Sequence, residues 1–97
     1  MKITILESAK QDLREGFYFY ESQETGIGTY FLESMVSDIE SFQLFAGIHG
    51  LHFGIYHRLL SKRFPFAVQY RLKEDEVRVY AVLDCRRDPA WIRKRLQ

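Results

Sequence analysis

The chain has one cysteine, Cys85, and two prolines, Pro65 and Pro89. A lone thiol excludes an internal disulfide and reads as a structural side chain, not a reactive one. No apolar run approaches the roughly 20 residues of a membrane-spanning helix, and residues 1–6 are too short an apolar stretch for a secretory signal. A soluble cytoplasmic protein with no membrane partner is therefore expected. Two motifs are also missing, a glycine-rich phosphate loop between a strand and a helix and a serine at a nucleophile elbow. Their absence removes the common nucleotide-binding and hydrolase readings. His49, His52 and His57 lack a nearby cysteine or carboxylate to complete a ligand set, so no metal and no other cofactor is expected.

What remains is enough for one modest core. The 97 residues are 46% hydrophobic and 28% charged, ordinary values for one globular domain. The net charge of +1 hides an asymmetry: residues 1–49 carry 3 basic and 8 acidic side chains, and residues 50–97 carry 11 basic and 5 acidic. A basic working surface on an acidic scaffold is a statement about partners, not about fold.

Hydrophobic periodicity orders the elements. Residues 2–6 form a short β-branched run that suits a first strand. Ser8 and Gln11 have the spacing of a capping box, which predicts a helix running to about Gln23 with Ala9, Leu13, Phe17 and Tyr20 on its apolar stripe. Gly26 and Gly28 interrupt the pattern, and Phe31, Leu32, Met35, Val36, Ile39 and Phe42 define a second helix over residues 29–45. The two form a helical hairpin. A glycine-containing loop is expected between Ala46 and Gly54, followed by a strand over residues 55–60. Two alternating runs then flank the polar turn Lys73, Glu74, Asp75 and Glu76. Phe66, Val68, Tyr70 and Leu72 share one face of the first strand, and Val77, Val79, Ala81 and Leu83 one face of the second. Pro65 belongs at an edge or at the start of its strand. Asp88 followed by Pro89 opens a short C-terminal helix carrying Trp91 to Arg95. The class is α+β: N-terminal strand, helical hairpin, antiparallel sheet and short C-terminal helix.

The chemistry lies in the basic half. Arg58, Lys62, Arg63, Arg71 and Arg78 follow the sheet, and Arg86, Arg87, Arg93, Lys94 and Arg95 surround its end, interleaved with Tyr56, Tyr70, Tyr80 and Trp91. Arginine beside aromatic rings binds phosphates, stacks on bases or grips acidic protein segments. A plain nucleic-acid-binding module using the basic sheet face stays open at this point.

The run from Lys62 to Arg71, the strand from Val77 to Leu83, and the end Cys85, Arg86, Arg87, Asp88 and Pro89 together resemble the RelE/ParE superfamily of bacterial toxins of type II toxin–antitoxin systems. The resemblance spans nearly the whole chain and implies a single RelE/ParE-like toxin domain over residues 1–97. It implies a cognate antitoxin as partner, whose disordered tail folds onto the toxin in a hetero-oligomeric complex. It also implies a target, either DNA gyrase, bound by the ParE-like branch, or the ribosome with its messenger RNA, cut by the RelE-like branch. In the nuclease branch Arg87 is the catalytic candidate. That branch often carries a further arginine where Ala67 stands here, a late tyrosine near Trp91 or Arg93, and many relatives have a histidine where this chain has Asp84. The incomplete nuclease set favours the ParE-like branch. On charge concentration, target contact is assigned to Arg63, Arg86, Arg87, Trp91, Arg93 and Arg95. Antitoxin contact is assigned to Phe17, Tyr20, Arg58, Tyr70 and Arg71.

Overall fold

Residues 2–5 pair with a distant strand before the first helix begins. The computed structural model describes residues 1–46, 51–52 and 55–97, with the backbone alone for 51–52. Strand β1 (Lys2–Ile5) is followed by α1 (Glu7–Gln23), α2 (Ile27–Glu40), the single turn α3 (Phe42–Phe45), β2 (Leu51–His52), β3 (Tyr56–Leu60), β4 (Phe66–Lys73), β5 (Glu76–Asp84) and α4 (Pro89–Arg95). The expected loop between Ala46 and Gly54 is in part strand β2; residues 47–50 and 53–54, His49 among them, lie outside the described residues. The sheet has the order β1-β5-β4-β3-β2. Strands β2 to β5 pair antiparallel, as expected, and β1 joins the edge of β5 in parallel, which makes the sheet as a whole mixed.

The first helix starts without the expected capping box. Leu6 occupies the cap position with no side-chain hydrogen bond, and the Ser8 hydroxyl instead donates to the Tyr80 carbonyl at 2.9 Å. The cause is the mismatch between β1 and β5. β1 pairs only as far as Val79, so β5 runs on with an unpaired edge whose polar groups need partners. Ser8 satisfies the Tyr80 carbonyl, and the Asp12 carboxylate accepts the Val82 amide at 3.0 Å. The start of α1 thus stands in for a missing strand.

The helical hairpin turns on Gly26, whose φ of 97° suits glycine. The Glu21 carboxylate accepts the Gly26 amide at 3.0 and 3.1 Å and the Gly28 amide at 2.9 Å, so α1 caps α2. A Cβ at Gly28 would stand 2.6 Å from the Phe17 carbonyl oxygen, a backbone atom that has no rotamer to escape into. Gly28→Ala is expected to lower stability by about 1–3 kcal/mol, read as a fall in thermal midpoint. The second helix ends at Glu40, short of the expected Phe45, where the Ser41 hydroxyl donates back to the Asp38 carbonyl at 2.6 Å. Phe31, Met35, Ile39 and Phe42 are buried as expected, but Val36 points outward and is 42% exposed.

The face assignment of β5 changes along its length. Gln69 pairs with Ala81 but Tyr70 pairs with Val79, which leaves Tyr80 as an extra residue in a bulge. One inserted residue reverses the alternation beyond it. Val77, Val79 and Val82 therefore join the core under the helices, while Ala81 and Leu83 turn to the opposite face with Tyr56 and Leu96. The expectation that Val77, Val79, Ala81 and Leu83 share a face holds only up to the bulge. Leu72, near the β4–β5 turn, is exposed and not core. Pro65 directly precedes β4, where its missing N–H costs no ladder bond. No helix among the described residues is long and apolar enough to cross a membrane.

Candidate functional site

Asp88 accepts the Ala90 amide at 2.9 Å and Pro89 takes the first helical position, which together launch α4 from the end of β5. Seven residues are too few to hold a helix by themselves. The anchors of α4 are tertiary. Leu96 is buried beneath Tyr56, whose hydroxyl donates to the Leu96 carbonyl at 2.9 Å, and Ile92 packs beside it. On the other side the Arg95 guanidinium reaches α1, donating to Asp12 Oδ2 at 2.7 Å and to the Ser8 carbonyl at 3.3 Å.

This docking leaves a cleft of about 330 Å³ between α1, the end of β5 and α4. Its floor includes Gly16, Phe66 and Val82; Asp12, Glu15 and Phe19 stand on the α1 wall, and Arg87, Trp91 and Arg95 on the other. The Arg87 guanidinium carbon lies 4.2 Å from the Trp91 ring centroid, a cation–π contact that sets its charge over a partly exposed ring. Among the described residues Arg87 forms no ion pair.

The other two arginines near the cleft are neutralised. Arg86 makes two side-chain bonds to Asp84 at 2.9 and 2.7 Å, and its amide adds a third at 2.8 Å. Those bonds hold the Asp84 carboxyl below the usual carboxylate range. Arg95 is committed to Asp12, whose side chain is 11% exposed. Burial raises the Asp12 pKa above the ordinary 3.8, and the bonds from Val82 and Arg95 offset it only in part.

The sign of that shift carries a prediction. An acid whose pKa is higher folded than unfolded binds its proton more tightly in the folded state. Ionised Asp12 therefore costs stability above its raised pKa, and the cost disappears as pH falls through that value. Asp12→Asn, which mimics the neutral form, is expected to melt at or above wild type at pH 7. The two thermal midpoints should converge on acidification.

The residues singled out for target contact are only partly brought together. Arg87, Trp91 and Arg95 line the cleft. Arg86 does not, being held by Asp84; Arg93 is exposed on α4, and Arg63 is exposed in the turn between β3 and β4. The antitoxin set divides between two faces. Phe17 and Tyr20 are half-buried on α1, with Tyr20 packed 5.2 Å from Phe31 and 4.9 Å from Phe64 between ring centroids. Arg58 pairs with Gln69, and Arg71 lies two residues further along β4, so both occupy the face away from the hairpin. Tyr70 is a correction. It is 0% exposed, 4.2 Å from Phe42 and stacked at 5.1 Å on His57, so it offers no surface to a partner and belongs to the core.

Asp12, Glu15 and Phe19 were not anticipated. Asp12 had a legible signal: it falls three residues after Ala9 and one before Leu13, a carboxylate inside an apolar stripe. Such a carboxylate needs a cationic partner. Nothing local in the sequence says that the partner is Arg95, 83 positions away.

No family model matches the chain, and no curated protein does. A solved structure is similar: a chain of the chromosomal ParDE TA system from P. aeruginosa matches with a TM-score of 0.77 at 17% sequence identity, over 84% of this chain and 92% of that one. At that identity the likeness concerns the fold, and it is the fold the RelE/ParE resemblance implied.

Proposed function

We propose that this chain is the toxin of a type II toxin–antitoxin pair, working in the cytoplasm, and that it arrests growth by binding DNA gyrase through the Arg87 and Trp91 wall of the cleft. The observation that carries this reading is the charge state of the cleft. A ribosome-dependent nuclease has to stabilise the extra negative charge of a pentavalent phosphate, which calls for several uncompensated cations converging on one point. Here Arg86 is matched by Asp84 and Arg95 by Asp12, leaving Arg87 as the cleft arginine with no ion pair among the described residues. One arginine stacked on tryptophan suits a protein-binding anchor better than a phosphate-cleaving centre. The incomplete nuclease set, with Ala67 where that branch often has an arginine and no tyrosine at Trp91 or Arg93, agrees.

An antitoxin would cover part of the same molecule. Phe17 and Tyr20, with the exposed Tyr18 on α1 and Tyr30 on α2, give the hairpin aromatic side chains for a folding tail. Arg58 and Arg71 lie on the other side of the sheet, so a single tail reaching both sets has to wrap round an edge. The test of the reading is inducible expression in bacteria with and without the protein encoded next to this one. Arrest relieved by the neighbour supports it, and unimpaired growth of cells that accumulate the folded chain counts against it.

The far face of the sheet favours a second reading. Arg71 lies 5.8 Å over the Tyr80 ring, and Arg58 shares that face, an arginine–tyrosine surface of the sort that holds nucleic acid. Binding of free RNA or DNA that weakens steeply with salt would support it.

A further inference from the structure

The geometry points to Asp12 as a positioning residue that fixes the Arg87–Trp91 arm by holding α4 against β5. The inference rests on the reading of the cleft as the target-binding site. One carboxylate oxygen, Asp12 Oδ2, accepts from two elements at once: the Val82 amide of β5 at 3.0 Å and the Arg95 guanidinium of α4 at 2.7 Å. β5 contributes Val82 to the cleft floor and α4 contributes Trp91 and Arg95 to its wall, with Arg87 in the turn that joins the two elements.

The alternative anchors of α4 act elsewhere. No residue within α4 itself is buried. Leu96 and Ile92 fasten it to the face of the sheet away from the hairpin, and neither contact sets how closely α4 approaches α1. That approach is set by Arg95, through Asp12 and the Ser8 carbonyl. Releasing Arg95 would let the helix pivot about Leu96 and carry Trp91 away from the cleft floor.

A purely structural role would make Asp12 stabilising. Buried ion pairs are often no better for stability than well-packed neutral groups, and the raised pKa of Asp12 shows that its charge is held against the cost of burial. Glu15 faces Asp12 from the same helix with like charge, and Arg95 faces it from α4 with the opposite charge; both affect its titration.

The test uses the purified full chain, in which Trp91 is the single tryptophan and reports on the arm without labelling. Asp12→Asn keeps an oxygen acceptor for the Val82 amide but loses the charge that binds Arg95. Arg95→Met keeps much of the aliphatic stem and loses the guanidinium. Both variants are expected to show red-shifted Trp91 emission and stronger iodide quenching, with the thermal midpoint of Asp12→Asn at or above wild type and growth arrest reduced. Emission and quenching unchanged in both variants would overturn the inference, as would loss of arrest that merely follows loss of stability. Should Asp12→Asn not fold, Arg95→Met decides alone, since it leaves the Val82 bond in place. A wild-type chain that fails to arrest growth removes the proposed function, yet the fluorescence still decides whether Asp12 positions the arm.

Discussion

Replacing Arg87 and Trp91 together by alanine is expected to abolish growth arrest at equal expression while leaving the fold intact. Interface anchors of this kind cost about 2 kcal/mol or more each when truncated. Two such losses, if additive, weaken binding by roughly a thousandfold. The same change removes little that the fold needs. Arg87 is exposed, Trp91 is 39% exposed, and their mutual cation–π contact lies on the rim of the cleft. Losing that contact and the covered part of the Trp91 ring costs about 1 kcal/mol, small beside the total stability of a domain. Growth curves read with thermal midpoints of the purified variant check both halves. Full arrest by the double variant would place the working surface elsewhere.

The largest effect on stability is expected from Tyr70→Ala. Its ring is enclosed between Phe42 and His57 at the centre of β4, and truncating a buried aromatic to alanine costs about 3–5 kcal/mol. A chain this small is stable by about 5–15 kcal/mol in all, so the variant should lose a large part of its folded population or melt far earlier. Arg71→Ala, one position on, should behave in the opposite way. Arg71 is exposed on the other face, and the loss of its contact with Tyr80 is worth about 0.5–1 kcal/mol. The pair tests the register directly. If Tyr70→Ala melted like wild type and merely lost a partner, Tyr70 would be the contact residue that the sequence reading made it.

Much of the molecule was legible because its signals are local. The stripes Ala9–Leu13 and Phe31–Met35–Ile39, the break at Gly26, and the Asp88–Pro89 start of α4 are read from residues within a few positions of each other, and all hold. That Arg87 and Trp91 stand on one wall of the cleft follows from their being four positions apart, across the turn from β5 into α4. What failed was long-range. The bulge at Tyr80 is decided by pairing with β4, not by the composition of β5, and it moved Ala81 and Leu83 to the other face. Ser8 forgoes its helix cap because an unpaired edge of β5 competes for its hydroxyl. The Asp12–Arg95 tie joins the acidic and basic halves of the chain across 83 positions. The charge asymmetry of the sequence is therefore partly an internal match, which leaves fewer arginines for a target than their number suggests.

The most direct test of the central claim is to induce the chain in growing bacteria and measure, in the same cells, gyrase-dependent DNA damage and the integrity of messages on ribosomes. Arrest with DNA damage and intact messages is the predicted result. Messages cut at ribosomal positions, with DNA undamaged, would contradict it and make Arg87 a catalytic residue.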